Sequence, residues 1–347
     1  MRDDAAAVYS TTPVSSPPAS SVSQYSSKSL LDLRLMHHYC IFTAPGFAGT
    51  FPEKVLQALQ VEIPALACRH VFLMDAILLV AMVHLCCTDP ASLDNMPVYY
   101  YRDQALKSLR HAVANISDDS TDAVRGASVL LAHISFATDR VTQQPGLWVA
   151  NWMALALGQR NFRGLSWSSN HQYDGRGMYS SRTAPHGSAD HLSVATMMPS
   201  DIHRALAREN NDENPASESA LRTAATELGR LTTIVQLPYQ TIDLEKQVKA
   251  WSFDLVPTEF HKMVQHRNPK ALIILAYYLV LFKLLPESWL YQDLVNHDIE
   301  EIDQLISPEW QLYMSTPRLA LQIDNKEEVI QLLGSSLSNG IGESEKS

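Results

Sequence analysis

VFLMDAILLVAMVHLCC, residues 71–87, decides the fold class. A surface helix carries its apolar residues on one stripe. This run is apolar on nearly every side, interrupted only by Asp75 and His84, so it predicts a helix at the centre of a core. A second run, ALIILAYYLVLF at 271–282, repeats the pattern far along the chain. Both fall short of the roughly 20 apolar residues a membrane-spanning helix needs, so they predict buried core helices rather than membrane insertion. The two are expected to pack together, with amphipathic helices around them.

N-terminal to the first run, Leu31, Leu35, Tyr39 and Phe42 recur at helical spacing before Pro45-Gly46 stops the helix. Pro52 and Pro64 are expected to open the next two helices, the second running to about Cys87. Further helices are expected over 99–116, 122–137, 145–157, 199–208, 217–236, 242–253, 257–265, 269–284, 289–305 and 308–314. No β-hairpin, βαβ alternation or fixed-period repeat interrupts them. The expectation is an all-α single domain of roughly ten to twelve helices around two central apolar helices.

Composition supports that organisation. Of 347 residues, 46% are hydrophobic and 18% charged, enough apolar side chain for a sizeable core. Residues 1–28 are rich in Ser, Pro, Thr and Ala without periodicity, and read as a disordered arm. It lacks the apolar stretch of a signal peptide or membrane anchor. Residues 29–333 form the helical domain, 158–198 a mobile Gly/Ser/His/Arg-rich loop within it, and 334–347 a flexible tail.

Function classes fall away in turn. Net charge is −10 with no dense Lys/Arg run, so direct nucleic-acid binding is not expected. No Gly-rich phosphate loop and no G-x-S-x-G elbow occurs. The four cysteines, Cys40, Cys68, Cys86 and Cys87, form no C-x-x-C, and an intracellular, reducing compartment follows. His186/His191 and His261/His266 are five apart, which does not suit two metal ligands on one helix face, so no metal and no cofactor is expected.

The informative feature is polar side chains inside apolar helices: Asp75, His84, His133, Tyr277 and Tyr278. Each either finds a partner in the core or lines a cavity, and a mostly apolar pocket with a few placed polar groups is the usual small-molecule site. Asp75 is the sharpest candidate, because burying a carboxylate is costly unless it is paired. Met74, Leu78, Met82, Trp148 and Trp152 could supply apolar walls, or ordinary core. For an enzyme, Asp75, His84, His133 and Tyr277 would be the hydrogen-bonding or acid–base groups.

Four segments carry a family resemblance. LLDLRLMHHYCIFTA, IPALACRHVFLMDAILLVAMVHL, YYRDQALKSLRHAVANI and NPKALIILAYYLVLFKLLPESWL, between about Leu30 and Pro317, resemble the fungal-specific transcription factor domain, most nearly the sterol-uptake-control type. That resemblance implies an all-α effector domain, a hydrophobic ligand such as a sterol, and a six-cysteine binuclear zinc cluster for DNA binding. Four scattered cysteines cannot supply that cluster, and the DNA-reading helix such modules carry is missing with it. Asp75 and Val71 depart from the family pattern, as does the lack of a tryptophan just before Pro317. Three readings follow: a regulator that binds a hydrophobic molecule and reaches DNA through a homologous partner, in nucleus or cytoplasm; an enzyme cyclising or isomerising a terpenoid or polyketide in the same pocket; or a piece of a longer zinc-cluster factor.

Overall fold

A computed structural model describes residues 27–47, 56–89, 98–160, 197–208, 214–237 and 244–338. Most of the arm, most of the 158–198 loop, the histidine pair His186/His191, the start at Pro52 and the end of the tail lie outside these residues. Among the described residues every regular element is helical.

The first helix, α1, begins as Ser27–His38, widens into a π-turn at Tyr39–Thr43 and closes as Ala44–Gly46. Next, α2 comprises a π-turn, Ala58–Glu62, and Ile63–Ala67. Then come α3, Val71–Thr88; α4, Val98–Ala114; α5, Thr121–His133; α6, Ser135–Val141; and α7, Trp148–Arg160. The second half holds α8, Ser200–Ala207; α9, Pro215–Ile234; α10, Leu244–Ala250, with a π-turn at Trp251–Leu255; and α11, Thr258–Gln265. It closes with α12, Pro269–Val280; α13, Leu294–Leu305; α14, Ser315–Leu321; and α15, Lys326–Ser338.

Prolines explain the main departures from the expected boundaries. Pro64 does not open a long helix: it lies inside α2, and the chain breaks after it, where His70 is extended (φ −130°, ψ 100°) before α3 starts. Each of the three π-turns ends two residues before a proline: Thr43 before Pro45, Glu62 before Pro64, Leu255 before Pro257. Proline has no N–H for the i−4 carbonyl, and its ring crowds that carbonyl. Widening the turn ahead of it relieves the clash. The expected 122–137 helix is likewise two helices, parted at Ile134. Beyond the last expected element, α14 and α15 add two more, with Val329, Leu333 and Leu337 buried.

The two apolar helices are central, but not to each other. α3 is buried from Leu73 to Leu85, save Asp75 and Met74, in a cluster with α1, α2, α4 and α5. α12 is buried from Lys270 to Val280, in a second cluster built by α7–α11 and α13–α15. Contrary to the expectation that it falls short, α3 at 18 residues is long and apolar enough for a membrane span by length and composition, yet 61% of it is buried within this fold. Segment 286–293 runs along the seam between the clusters: Leu290 enters the first and Tyr291 packs against both. Arg140 pins it there, donating to Gln292 O (2.6 Å), Trp289 O (3.0 Å) and Cys87 Sγ (3.0 Å). Charge-assisted bonds of this kind are about twice as strong as neutral ones, so Trp289 is held in a defined place.

Candidate functional site

Around Trp289 the seam gathers polar groups from four elements. The π-turn of α1 presents Thr43, whose Oγ1 lies 2.9 Å from His84 Nδ1 on α3. His38 Nε2 lies 3.1 Å from the same atom. Thr43 and His38 thus both reach the same ring nitrogen of His84. The His84 ring sits 4.8 Å from Trp289, which is 6.0 Å from Phe47; Phe47 meets His133 of α5 edge-on at 5.0 Å. The buried indole Nε1 of Trp289 has no partner among the described residues, nor has the hydroxyl of Tyr39, fully buried on the same π-turn as Thr43. Leaving a buried donor unpaired costs about 1–3 kcal/mol.

The seam is electrically neutral at its centre. Burial, then the neighbouring His38, lowers His84 to about 4. Burial, then the nearby Lys249 charge, holds His133 well below the ordinary imidazole range. Lys249 itself is paired with Glu245 at 2.8 Å, and Glu245 also accepts from Tyr291. Neutral rings and unpaired N–H and O–H donors suit an uncharged oxygen on an apolar molecule. They suit an anion less well, because the cations about the seam, Arg140 and Lys249, are already engaged with the Gln292 and Trp289 carbonyls and with Glu245. Among the described residues, no three metal-ligating side chains converge.

A pH dependence follows. His84 holds its proton less tightly when folded, so as pH falls the unfolded chain protonates first. His84's contribution is complete above about 6.5 and drains away between there and 4, on the order of 2–3 kcal/mol. His84→Gln keeps an acceptor and does not titrate. Urea midpoints at pH 7 and 4.5 should therefore differ less in the variant than in the wild type. An unchanged difference would show that His84 is not the titrating group.

The ten expected site residues divide between the two clusters. Met74, Leu78, Met82, Asp75, His84 and His133 belong to the first; Trp148, Trp152, Tyr277 and Tyr278 belong to the second. They do not form one cavity. Asp75 is not a buried carboxylate: it is half-buried toward α4, where Gln104 Nε2 reaches Oδ2 at 3.5 Å, while His84 faces α1. Tyr277 and Tyr278 tie helices together. Tyr277 donates to Asp201 Oδ2 (2.8 Å), which also takes Ser315 (2.9 Å) and pairs with Arg204; Tyr278 donates to Val248 O (2.9 Å). Trp148 donates to Gln144 O, and Trp152 packs on Phe136 at 4.9 Å. Separately, an open recess of about 500 Å³ on α9, lined by polar side chains such as Glu218, Arg222 and Glu227, touches none of the ten.

Thr43, Phe47, His38 and Trp289 were not legible as site residues, because what makes them one site is the return of segment 286–293 to α1 and α3. A closer reading of Pro45 as a residue inside the helix would have flagged the π-turn, a feature frequent at functional sites.

No family model matches the chain. In sequence it is similar to the Zn(2)-C6 fungal-type transcription factor afumD of Aspergillus fumigatus, 28% identical over 146 residues, which are 42% of this chain and 39% of that protein. It is also similar to sterol uptake control protein 2 of Candida albicans, 38% identical over 112 residues, 32% of this chain and 15% of that protein. The protein of the same name from Saccharomyces cerevisiae is 34% identical over 108 residues, 31% of this chain and 12% of that protein. About a third of the chain is thus similar to parts of fungal transcription regulators, and each match spans well under half of the relative's length.

Proposed function

We propose that this chain acts as the effector region of a fungal transcription regulator, and that a hydrophobic small molecule of the sterol, terpenoid or polyketide kind binds at the Trp289 seam. The similarity to regulators supports the first part. The second is carried by one observation: a buried, unpaired Trp289 N–H among neutral rings at the joint of two cores. A ligand oxygen accepting from that indole would recover the lost bond, and a molecule seated there would change how the two clusters meet. That is what an effector domain needs if it is to pass ligand occupancy to a homologous partner on DNA. This reading carries an intracellular, nuclear location and no direct DNA contact by these 347 residues.

Trp289→Phe keeps the ring and removes the donor. After incubation with a neutral-lipid extract of fungal cells, native mass spectrometry of the wild-type protein should show a retained small molecule. The variant, with an unchanged melting temperature, should retain about tenfold less, the loss expected for one hydrogen bond worth about 1.4 kcal/mol. Equal retention by both would remove Trp289 from the site. A retained molecule whose mass changes with time, in the wild type alone, would move the assignment from regulator to enzyme.

A further inference from the structure

Trp289 as a whole is half-buried, but its Nε1 is fully covered, and the rings against it, Phe47 and His84, are buried as well. A molecule can meet that donor only after something over it moves. Segment 286–293 carries Trp289 and forms no helix between the 3₁₀ turn Leu281–Leu284 and α13. Its outer side faces solvent through Pro286, Glu287, Gln292 and Asp293, while Leu290 turns inward. Both ends are bends. Leu285, ahead of Pro286, is extended (φ −68°, ψ 160°), and Asp293 is left-handed (φ 61°, ψ −8°), a conformation aspartate takes more readily than most residues. Between them the segment bonds to itself, from Tyr291 N–H to Ser288 O at 3.1 Å and from Leu290 N–H to Ser288 Oγ at 3.3 Å. A piece that is internally tied and bent at both ends can move as a unit.

Side chains latch it down from both cores. Arg140, braced by Cys87 of the first cluster, holds Trp289 O and Gln292 O; Glu245, on α10 of the second, accepts from the Tyr291 hydroxyl at 2.8 Å. The opposite wall is stiffer: α1 is anchored by fully buried Leu35, Tyr39 and Thr43, and Thr43 is bonded to His84. We propose that 286–293 is a lid that swings out to admit the ligand and is latched shut by Arg140, a step that rests on the seam being the ligand site. Lifting it exposes Leu290, so the closed form dominates and opening is a minor event. Entry and exit both wait for that opening, and the latch therefore sets how fast occupancy changes.

Hydrogen exchange of the full chain, read by mass spectrometry with no ligand added, tests the motion by itself. The amides of 288–291 should exchange faster than those of α3 and α12, through an opening that low urea hardly affects. Global unfolding would respond steeply to urea. Arg140→Gln keeps a polar side chain and removes the charged fork. It should speed exchange of the segment about tenfold while α12 keeps its protection. Tyr291→Phe removes the second latch and should speed it several-fold, a readout that survives if Arg140→Gln fails to fold. Loading of the fungal neutral-lipid extract, followed by native mass spectrometry, should quicken in each variant by the same factor as the exchange. Exchange of 288–291 at the rate of α12, or exchange that both variants leave unchanged, overturns the lid even if a molecule is retained. Loading at the wild-type rate despite faster exchange overturns it too. Latch-dependent exchange in a protein that retains no molecule supports the moving segment and overturns the ligand site instead, so the two failures are told apart.

Discussion

Asp298→Ala should destabilise the protein by about 3–5 kcal/mol, more than the loss of any other carboxylate discussed above. Asp298 is fully buried on α13, and its two oxygens accept the backbone N–H groups of Trp148 (3.0 Å) and Val149 (2.7 Å). These are among the first N–H groups of α7, which no intrahelical carbonyl can satisfy. A side chain from the other end of the sequence thus caps α7 and meets the positive end of its dipole. His297 Nδ1 lies 2.8 Å from the same carboxylate, which holds the imidazole above its ordinary range, and the ring stacks on Trp148 at 3.7 Å. Alanine would orphan two buried donors and remove the hydrogen-bond partner of His297 at once. Chemical denaturation should show the loss as a shifted midpoint with an unchanged slope. Asp75→Asn should by contrast stay within about 0.5 kcal/mol of the wild type, as expected for a half-buried side chain with one long contact. Comparable losses in the two variants would contradict this division of roles.

Trp251→Ala should cost about 3–5 kcal/mol, the range for deleting a buried aromatic. Trp251 is fully buried in the second cluster, stacks on Tyr278 at 4.1 Å, meets Phe260 edge-on at 5.6 Å and donates to Ala224 O at 3.1 Å. Truncation opens a cavity and removes the indole's bond to the Ala224 carbonyl. Trp251→Phe keeps most of the ring and should lose about half as much. Melting temperatures of the two variants check this. If Trp251→Ala melts with the wild type, Trp251 is not the keystone of the second cluster.

Much of the fold was legible because the strongest signals are local. Apolarity on all sides of 71–87 and 271–282 required two buried helices, and two buried helices are there. Their separation into two cores was not legible, since periodicity says which face is buried and not against what. The prolines misled for a related reason. Proline is compatible both with a helix start and with a π-turn inside a helix, and only the neighbours choose between them.

The site was legible in part. His84 and His133 stood out as polar residues in apolar runs, and the structure brings both to the seam through Phe47 and Trp289. Asp75 stood out by the same rule, yet it reaches the edge of α3 where solvent and Gln104 share it. Asp298, the most deeply buried carboxylate among the described residues, hides in HDIEEIDQL, where acidic neighbours suggest a solvated face. Its burial depends on a helix start 150 residues away, which no local pattern encodes.

At the proposed site the Trp289 indole N–H donates to a ligand oxygen. The direct measurement is the ¹⁵N–¹H resonance of that indole, assigned through its absence in Trp289→Phe and followed as the fungal neutral-lipid extract is added. This cross-peak should move downfield and its exchange with solvent should slow, while the Trp251 indole, bonded to Ala224, stays in place. A Trp289 cross-peak that does not move while the extract binds, or extract that leaves every indole unchanged, would contradict it.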